Sequence, residues 1–91
     1  MVQFEWDFEK ERLNIDKHGV DFKIAAKAFL DPNCQIHIDV SHSSEEMRFF
    51  CLGVVEGSIL TVRFVYREGK IRIFGAGYWR KGKEIYEEQK W

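Results

Sequence analysis

The 91-residue sequence lacks the features that mark secreted and membrane proteins. It has only two cysteines, Cys34 and Cys51, both within strand-like runs. We expect both thiols to be buried and free, because a disulfide between them would need an oxidising compartment. No apolar run approaches the roughly 18 residues of a membrane-spanning helix, and the N-terminus turns acidic at once instead of opening with a secretory signal. These absences predict a cytoplasmic protein without a membrane segment.

Repeats, low-complexity tracts and linkers are also absent from the sequence, so we expect one domain over residues 1–91. A domain of this size buries only about two-thirds of its unfolded surface, which makes a modest core. Hydrophobic residues nevertheless form 45% of the chain and aromatic residues 15%. The large apolar area of the aromatic side chains favours a folded domain with a real core.

Local patterns predict strands and helices in the order β-α-α-β-β-β-β-α. Asp7 and Asp21 are suited to cap two helices, and Gly19 and Pro32 stand where these helices would stop. Further on, apolar runs separated by turn residues are typical of strands. The predicted strands are 4–6, 34–40, 47–55, 59–66 and 71–76, and the predicted helices are 8–18, the segment between Asp21 and Pro32, and 79–89. The expected class is α+β, an antiparallel sheet with helices packed on one face.

The net charge of −1 conceals an asymmetry along the chain. Residues 1–46 contain five basic and ten acidic residues, whereas residues 47–91 contain nine basic and five acidic residues. From Arg63 to Lys83 there are seven basic residues and one acidic residue, Glu68. A local basic surface attracts phosphate even on a nearly neutral protein, but Lys and Arg can also simply solvate strand edges and a helix face. Charge alone leaves both interpretations open.

Strand alternation gathers basic and aromatic side chains on or beside one face of the predicted sheet. The arginines concerned are Arg48, Arg63, Arg67 and Arg72. Their forked N–H groups suit phosphate, since two donors reach two oxygens at once. The aromatic residues nearby are Phe74, Tyr78 and Trp79, whose rings suit stacking on unpaired bases. The alternative is that Phe74 and Trp79 belong to the core under the last helix.

An ordered series of short segments runs along nearly the whole chain. In chain order these are Phe4-Glu5-Trp6-Asp7, Asn14, Lys17-His18-Gly19-Val20, Phe22, Ala25-Ala26, Phe29, Asp31-Pro32, Glu46, Arg48, Gly53, Arg67, Ile71-Arg72-Ile73 and Tyr86-Glu87. Each segment alone is weak evidence, but the Lys-His-Gly segment and the late Ile-Arg-Ile strand make the series fairly specific. By this series the sequence resembles the BrnT toxins of type II toxin–antitoxin systems, in the RelE/ParE-like group.

The resemblance implies a RelE-like fold and a metal-independent endoribonuclease, without a cofactor, whose RNA cleavage inhibits translation. It also implies a cognate BrnA-like DNA-binding antitoxin that neutralises the toxin and carries the pair to operator DNA. The assembly would be a homodimer or a toxin–antitoxin heterotetramer.

One position departs from the family pattern. Many relatives end the last strand in Ser-Ala-Arg, whereas this chain has Gly77 where the arginine is expected. Either Tyr78 and Arg80 take over the role of the arginine, or the activity is reduced. Tyr78, Arg80 and Lys81 keep this segment suited to binding RNA, which favours the first alternative.

RNA cleavage without a metal uses the 2′-OH of the RNA as nucleophile, so the protein supplies proton transfer and positive charge. Charge stabilisation is assigned to Arg67 and Arg72, with Arg48 and Arg80 in support. The candidates for proton transfer are Glu46, His18 and Tyr78. The residues expected to bind RNA are Arg48, Arg63, Phe74, Trp79, Lys81 and Lys83. His18 also has a structural interpretation as a cation at a helix C-terminus, and Glu46 has one as an ion pair with Arg48.

A metal site is not expected from the sequence. His37 and Asp39 share one face of a predicted strand and His42 follows closely, but no Cys-x-x-Cys or His-x-x-x-His pair accompanies them.

The sequence leaves two other functions open. The chain could be a non-catalytic inhibitor that binds a protein target, as ParE-like relatives bind DNA gyrase, because a fold alone does not define a function. It could also be a degenerate toxin that survives as a partner in a repressor complex. A toxic effect without RNA loss would indicate the inhibitor, and expression without growth arrest would indicate the degenerate toxin.

Overall fold

A computed structural model describes residues 2–88 of the chain. Over these residues the elements follow the order β-α-α-β-β-β-β-α, which confirms the predicted α+β class. The strands are β1 (Phe4–Trp6), β2 (Gln35–Ile38), β3 (Phe49–Val55), β4 (Ser58–Arg67) and β5 (Lys70–Gly77). The helices are α1 (Phe8–His18), α2 (Phe22–Ala26) and α3 (Arg80–Glu88). Gln89, the predicted last residue of the final helix, lies outside the described residues.

The predicted boundaries of α1 are confirmed by its hydrogen bonds. The Asp7 carboxylate accepts the backbone N–H groups of Lys10 at 3.1 Å and Glu9 at 2.8 Å. These two bonds lower the pKa of Asp7, which keeps the cap ionised beside the positive end of the helix. At the other end Gly19 adopts φ 70° and donates its N–H to Ile15, a left-handed termination that glycine allows without strain.

The second helical segment is shorter than predicted. Asp21 caps α2 through the N–H of Ile24 at 2.8 Å, as expected. The helix ends at Ala26, and the chain tightens into a 3₁₀ turn at Lys27–Leu30 before it reaches Pro32.

The sheet has the strand order β1-β5-β4-β3-β2 within the described residues. From β2 to β5 each strand pairs antiparallel with the next one along the chain, which confirms the predicted meander. The first strand differs, since β1 pairs parallel with β5. A short hairpin forces its two strands to be antiparallel, but no hairpin joins β1 to β5, because α1, α2 and three strands lie between them.

Two Glu-Gly pairs make the tight turns that the sequence predicts. Glu56 and Gly57 join β3 to β4 with φ values of 53° and 82°. Glu68 and Gly69 join β4 to β5 with φ values of 53° and 76°. Two successive residues with positive φ match the twist of the flanking strands, which fixes the register of both hairpins.

The helical segments between β1 and β2 cover one face of the sheet, and the core lies beneath them. The core includes Phe22, Ala25 and Ala28 from the helical side, packed against Leu60, Val62, Phe64 and Ile73 from the strands. Gly53 makes this close packing possible, because a Cβ at position 53 would stand 2.1 Å from the carbonyl oxygen of Ala28. Apolar side chains therefore fill this face beneath the helical segments.

The C-terminal helix α3 lies against the other face of the sheet. It contacts Thr61 and Leu52, whose side chains alternate with those of the core residues on the same strands. Gly82 of α3 sits so close to Thr61 that a Cβ there would overlap its hydroxyl oxygen. Beyond α3 the same face carries Phe50, Arg63, Val65 and Arg72, and we call this part the open face.

The two cysteines are free thiols, as predicted, but only Cys51 is fully buried and Cys34 is half-buried. Burial raises the pKa of Cys51, so this thiol stays protonated at physiological pH. Across residues 2–88, no helix combines the length and the apolar composition required to cross a membrane.

Candidate functional site

A pocket of about 110 Å³ opens beside the open face. Its charged lining residues are Asp7, Lys10, Glu46, Arg48, Arg67 and Arg72, and Phe74 lies among them. Four cations thus face two carboxylates, and the Asp7 carboxylate is already engaged in capping α1. A concave site with an excess of positive charge attracts phosphate groups.

Carboxylates hold two of the pocket's arginines in place. Arg67 Nη2 donates to Glu46 Oε1 at 3.0 Å and to Oε2 at 3.3 Å. Glu46 therefore pairs with Arg67 and not with Arg48, which corrects the structural interpretation drawn from the sequence. Arg72 Nη1 donates to Glu5 Oε2 at 3.2 Å, across the parallel pairing of β1 with β5. Each guanidinium carries five N–H groups, so both arginines keep donors for a ligand.

The ring of Phe74 lies under two further arginines on the open face. The pairing of β4 with β5 slips between Arg63 and Phe64, which leaves Phe74 as the extra residue of a β-bulge. The guanidinium carbon of Arg48 lies 5.2 Å from the ring centroid and that of Arg63 lies 5.4 Å from it. Cations at this distance are attracted by the π-face of the ring. Among residues 2–88, Arg48 forms no ion pair, so its charge is available to an anion.

Asp39 links Arg63 to a histidine that the sequence analysis did not assign to the site. Its carboxylate lies 3.7 Å from Arg63 Nη2 and 3.0 Å from His42 Nδ1. Burial acts to raise the pKa of Asp39, but hydrogen bonds from His42 and Ser41 outweigh it, and the net pKa is lowered. Asp39 is therefore an ionised carboxylate that holds the side chains of both Arg63 and His42. The Asp-x-x-His spacing in a polar loop was the sequence signal for this pair.

Other predicted site residues lie away from this pocket. Tyr78 donates its hydroxyl to the carbonyl of Val55 at 3.5 Å, and burial with the charge of Glu56 raises its pKa. The ring of His18 lies edge-on against Trp79 with centroids 5.1 Å apart. Arg80, Lys81 and Lys83 are exposed along α3.

The structure thus brings together one part of the predicted site. Glu46, Arg48, Arg67, Arg72 and Phe74 share the pocket, with Arg63 beside them. The residues of the other group do not line it: His18, Tyr78, Trp79, Arg80, Lys81 and Lys83.

A comparison with protein families decides what kind of domain this is. The model of a family described as the ribonuclease toxin BrnT of type II toxin–antitoxin systems matches residues 6–83. The chain belongs to this family. A comparison with curated proteins finds no match. Membership assigns the chain to the ribonuclease toxins, implies an RNA substrate and an antitoxin partner, and confirms the resemblance seen in the sequence. The matched region contains the whole lining of the pocket.

The departure at Gly77 from the BrnT pattern has a structural counterpart in Trp79. A Cβ at position 77 would lie 2.5 Å from Cε2 of the indole and 2.6 Å from Cζ2. The indole is half-buried, and His18 packs against its edge. The place where an arginine side chain would start is therefore occupied by the Trp79 ring.

We expect Gly77→Ala to destabilise the domain by about 1–2 kcal/mol, because overpacking forces the indole out of its place. Denaturant unfolding with tryptophan fluorescence would measure the loss. The double variant Gly77→Ala, Trp79→Leu should recover most of it, since a smaller side chain at 79 removes the clash. Equal stability of Gly77→Ala and the wild type would contradict this account of Gly77.

No group of three or more His, Cys, Asp or Glu side chains within residues 2–88 is arranged to hold a metal ion. The ring of His37 contacts side chains other than Asp39 and His42. Its Nε2 lies 2.9 Å from Gln35 Oε1, and its ring stacks on Phe50.

Proposed function

We propose that this chain is an endoribonuclease that cleaves RNA without a metal ion and thereby inhibits translation. The observation that carries the proposal is the grouping of Arg48, Arg67 and Arg72 with Phe74 around one pocket of a ribonuclease toxin domain. Arginines bind a phosphate through paired donors, and an aromatic ring beside them stacks on an unpaired base. Together these groups suit a single-stranded RNA segment with its scissile phosphate in the pocket.

In the proposed reaction the 2′-oxygen of the RNA attacks the adjacent phosphorus, and the bond from phosphorus to the 5′-oxygen breaks. The phosphate gains negative charge on the way to the transition state. Donors already fixed in place stabilise that charge at little cost of reorganisation. Glu46 holds Arg67 and Glu5 holds Arg72, so two of these donors are oriented before RNA binds.

We further propose that a cognate BrnA-like DNA-binding antitoxin neutralises the toxin in the cytoplasm. The antitoxin would connect the pair to operator DNA, and the assembly would be a homodimer or a toxin–antitoxin heterotetramer. Co-expression of the two proteins should restore the growth that the toxin alone arrests.

The decisive experiment is cleavage of a defined single-stranded RNA by the purified protein in EDTA. We expect products that end in a 2′,3′-cyclic phosphate and begin with a 5′-hydroxyl. The matched control is the same oligonucleotide with 2′-deoxy sugars, which binds through its phosphates but lacks the nucleophile and should stay intact. RNA that survives a high excess of protein would refute the proposal, and growth arrest without RNA loss would then indicate a non-catalytic inhibitor.

A further inference from the structure

The loop between β2 and β3 holds a histidine and a carboxylate in an arrangement suited to proton transfer. We infer that His42 is a catalytic residue that accepts the 2′-OH proton during RNA cleavage, and that Asp39 is its positioning residue. This inference rests on the proposed function, because it assigns a step of the same reaction. It adds a residue that sequence reasoning did not place in the site.

The geometry of the pair fixes which nitrogen of His42 can react. Its Nδ1 lies 3.0 Å from both carboxylate oxygens of Asp39, and the Ser41 hydroxyl stands 3.2 Å away. A carboxylate accepts hydrogen bonds, so Nδ1 carries the proton in the neutral ring and Nε2 keeps its lone pair. The side chain of His42 is 57% exposed, whereas that of Asp39 is 13% exposed. The reactive nitrogen is therefore within reach of a substrate, while the carboxylate behind it is sheltered.

Hydrogen bonds tie the His42 loop directly to the pocket. The Ser43 hydroxyl donates to the carbonyl of Asp39 at 2.8 Å and accepts the backbone N–H of Arg48 at 2.9 Å. The backbone N–H of Asp39 donates to the carbonyl of Arg48 at 2.8 Å. The loop that carries His42 is thus fastened at both ends to the residue whose guanidinium lines the pocket.

A second connection runs through side chains of the open face. Arg63 lies beside Asp39 and over the Phe74 ring, and Arg48 lies over the same ring. Through Asp39 and Arg63, His42 therefore lies at the edge of the arginine cluster around Phe74, and we expect a phosphodiester bound by these arginines to present its sugar to His42. Reacting groups held in such proximity gain much of their rate from orientation alone.

In the proposed step, the neutral Nε2 of His42 takes the proton from the 2′-OH while the 2′-oxygen forms its bond to phosphorus. The bond from phosphorus to the 5′-oxygen breaks, and that oxygen takes a proton from water. The resulting hydroxide removes the proton from the imidazolium, which restores the enzyme. The Asp39 carboxylate stabilises the imidazolium in the interval, as a buried carboxylate does for other catalytic histidines.

The test compares His42→Ala with the wild type on the same RNA in EDTA. We expect the rate of cleavage at saturating RNA to fall roughly 10²–10³-fold, within the range that a general base contributes. RNA affinity should stay within about two-fold, since a neutral imidazole binds no phosphate. Added imidazole should restore part of the activity of His42→Ala. Ser44→Ala, an exposed change in the same loop, should leave the rate unchanged.

The pH dependence separates a catalytic role from a structural one. A general base gives the wild type a rate that falls as pH decreases, and His42→Ala should lose this dependence. Asp39→Asn should lower the rate without rescue by imidazole, because His42 is still present but its ring is no longer held. His42→Gln, which keeps a donor toward Asp39, should be as inactive as His42→Ala if His42 transfers a proton.

Two results would overturn the inference alone. The first is a wild type that cleaves RNA together with a His42→Ala variant of nearly equal rate. The second is a large loss in His42→Ala that imidazole does not restore and that keeps the wild-type pH dependence, which would make His42 structural. RNA left intact by the wild type would overturn this inference and the proposed function together.

Discussion

The double variant Arg48→Met, Arg72→Met is expected to cleave RNA on the order of 10⁴-fold more slowly than the wild type. Removing one fixed donor to a developing negative charge costs about 10²–10³-fold in rate. The two arginines reach the pocket from different segments, Arg48 from just before β3 and Arg72 from within β5. Methionine keeps the length and the apolar stem of the side chain, so the loss reports the guanidinium. Each single variant should lose about 100-fold.

Arg48 and Arg72 are the arginines substituted in this variant, because their charges are less neutralised by carboxylates than the charge of Arg67 is. Arg67 gives both of its short hydrogen bonds to the two oxygens of Glu46, which neutralise its charge locally. Arg72 has a single bond to Glu5, and within the described residues Arg48 has none to a carboxylate. Among the arginines of the pocket, the remaining positive charge therefore rests mainly on Arg48 and Arg72, beside the charge of Lys10.

The matched control is Lys23→Met, Lys27→Met, which removes the same total charge from exposed positions on the helical side of the sheet. Its cleavage rate should stay within about three-fold of the wild type, since exposed charges beyond a Debye length are largely screened. Single-turnover kinetics with excess protein would measure both variants, and thermal melting would show that both are folded. Equal rates for the two double variants would mean that net charge, and not the pocket, drives cleavage.

Much of the fold was predictable because its signals are local. Asp7 and Gly19 each bond to groups within four residues, so the bounds of α1 follow from sequence. Glu56 with Gly57 forms a hairpin turn for the same reason, because positive φ at both residues selects one turn type. Such features depend only on residues that are close in the sequence. The order of elements and the α+β class follow from them.

The structural features that could not be predicted from the sequence depend on residues that are far apart along the chain. The parallel pairing of β1 with β5 joins residues that are 67 apart, as in the bond from Arg72 to Glu5. The bulge at Phe74 depends on how β4 and β5 align, and a two-residue period by itself predicts no slip. Tyr78 was grouped with the arginines because of its place in the sequence, but the strand carries it toward Val55.

In the candidate site, too, the residues placed by local strand alternation were predictable, whereas the residue placed by a distant contact was not. Arg67 and Arg72 were assigned to catalysis from strand alternation, and they do share a pocket, because alternation is preserved on both strands. Whether they act in catalysis stays a prediction. His42 could not be assigned from its neighbours alone, since the link to the site runs from Asp39 to Arg63, a residue two strands away. A spacing of three residues suggests a contact, but only the fold shows what that contact faces.

Asn14→Ala is expected to cost about 3–5 kcal/mol of folding free energy, a large part of the roughly 5–14 kcal/mol typical of a domain of this length. Asn14 is buried in α1, and its side-chain N–H groups donate to the carbonyls of Val20 and Ala76, each at 2.9 Å. Its Oδ1 accepts the N–H of Ala76 at 3.1 Å. Alanine would leave these buried backbone groups without partners, and each such group costs about 1–3 kcal/mol.

The two bonds with Ala76 also tie α1 to β5 just after the bulge that carries Phe74, so Asn14 stabilises the edge of the open face. Thermal unfolding should show a fall in Tm of about 15–30 °C for Asn14→Ala, with Asn33→Ala at an exposed position within about 3 °C of the wild type. Asn14→Leu separates the two physical causes, because leucine fills the volume but makes no hydrogen bond. It should be as unstable as the alanine variant. A leucine variant as stable as the wild type would show that Asn14 fills space and that its hydrogen bonds contribute little.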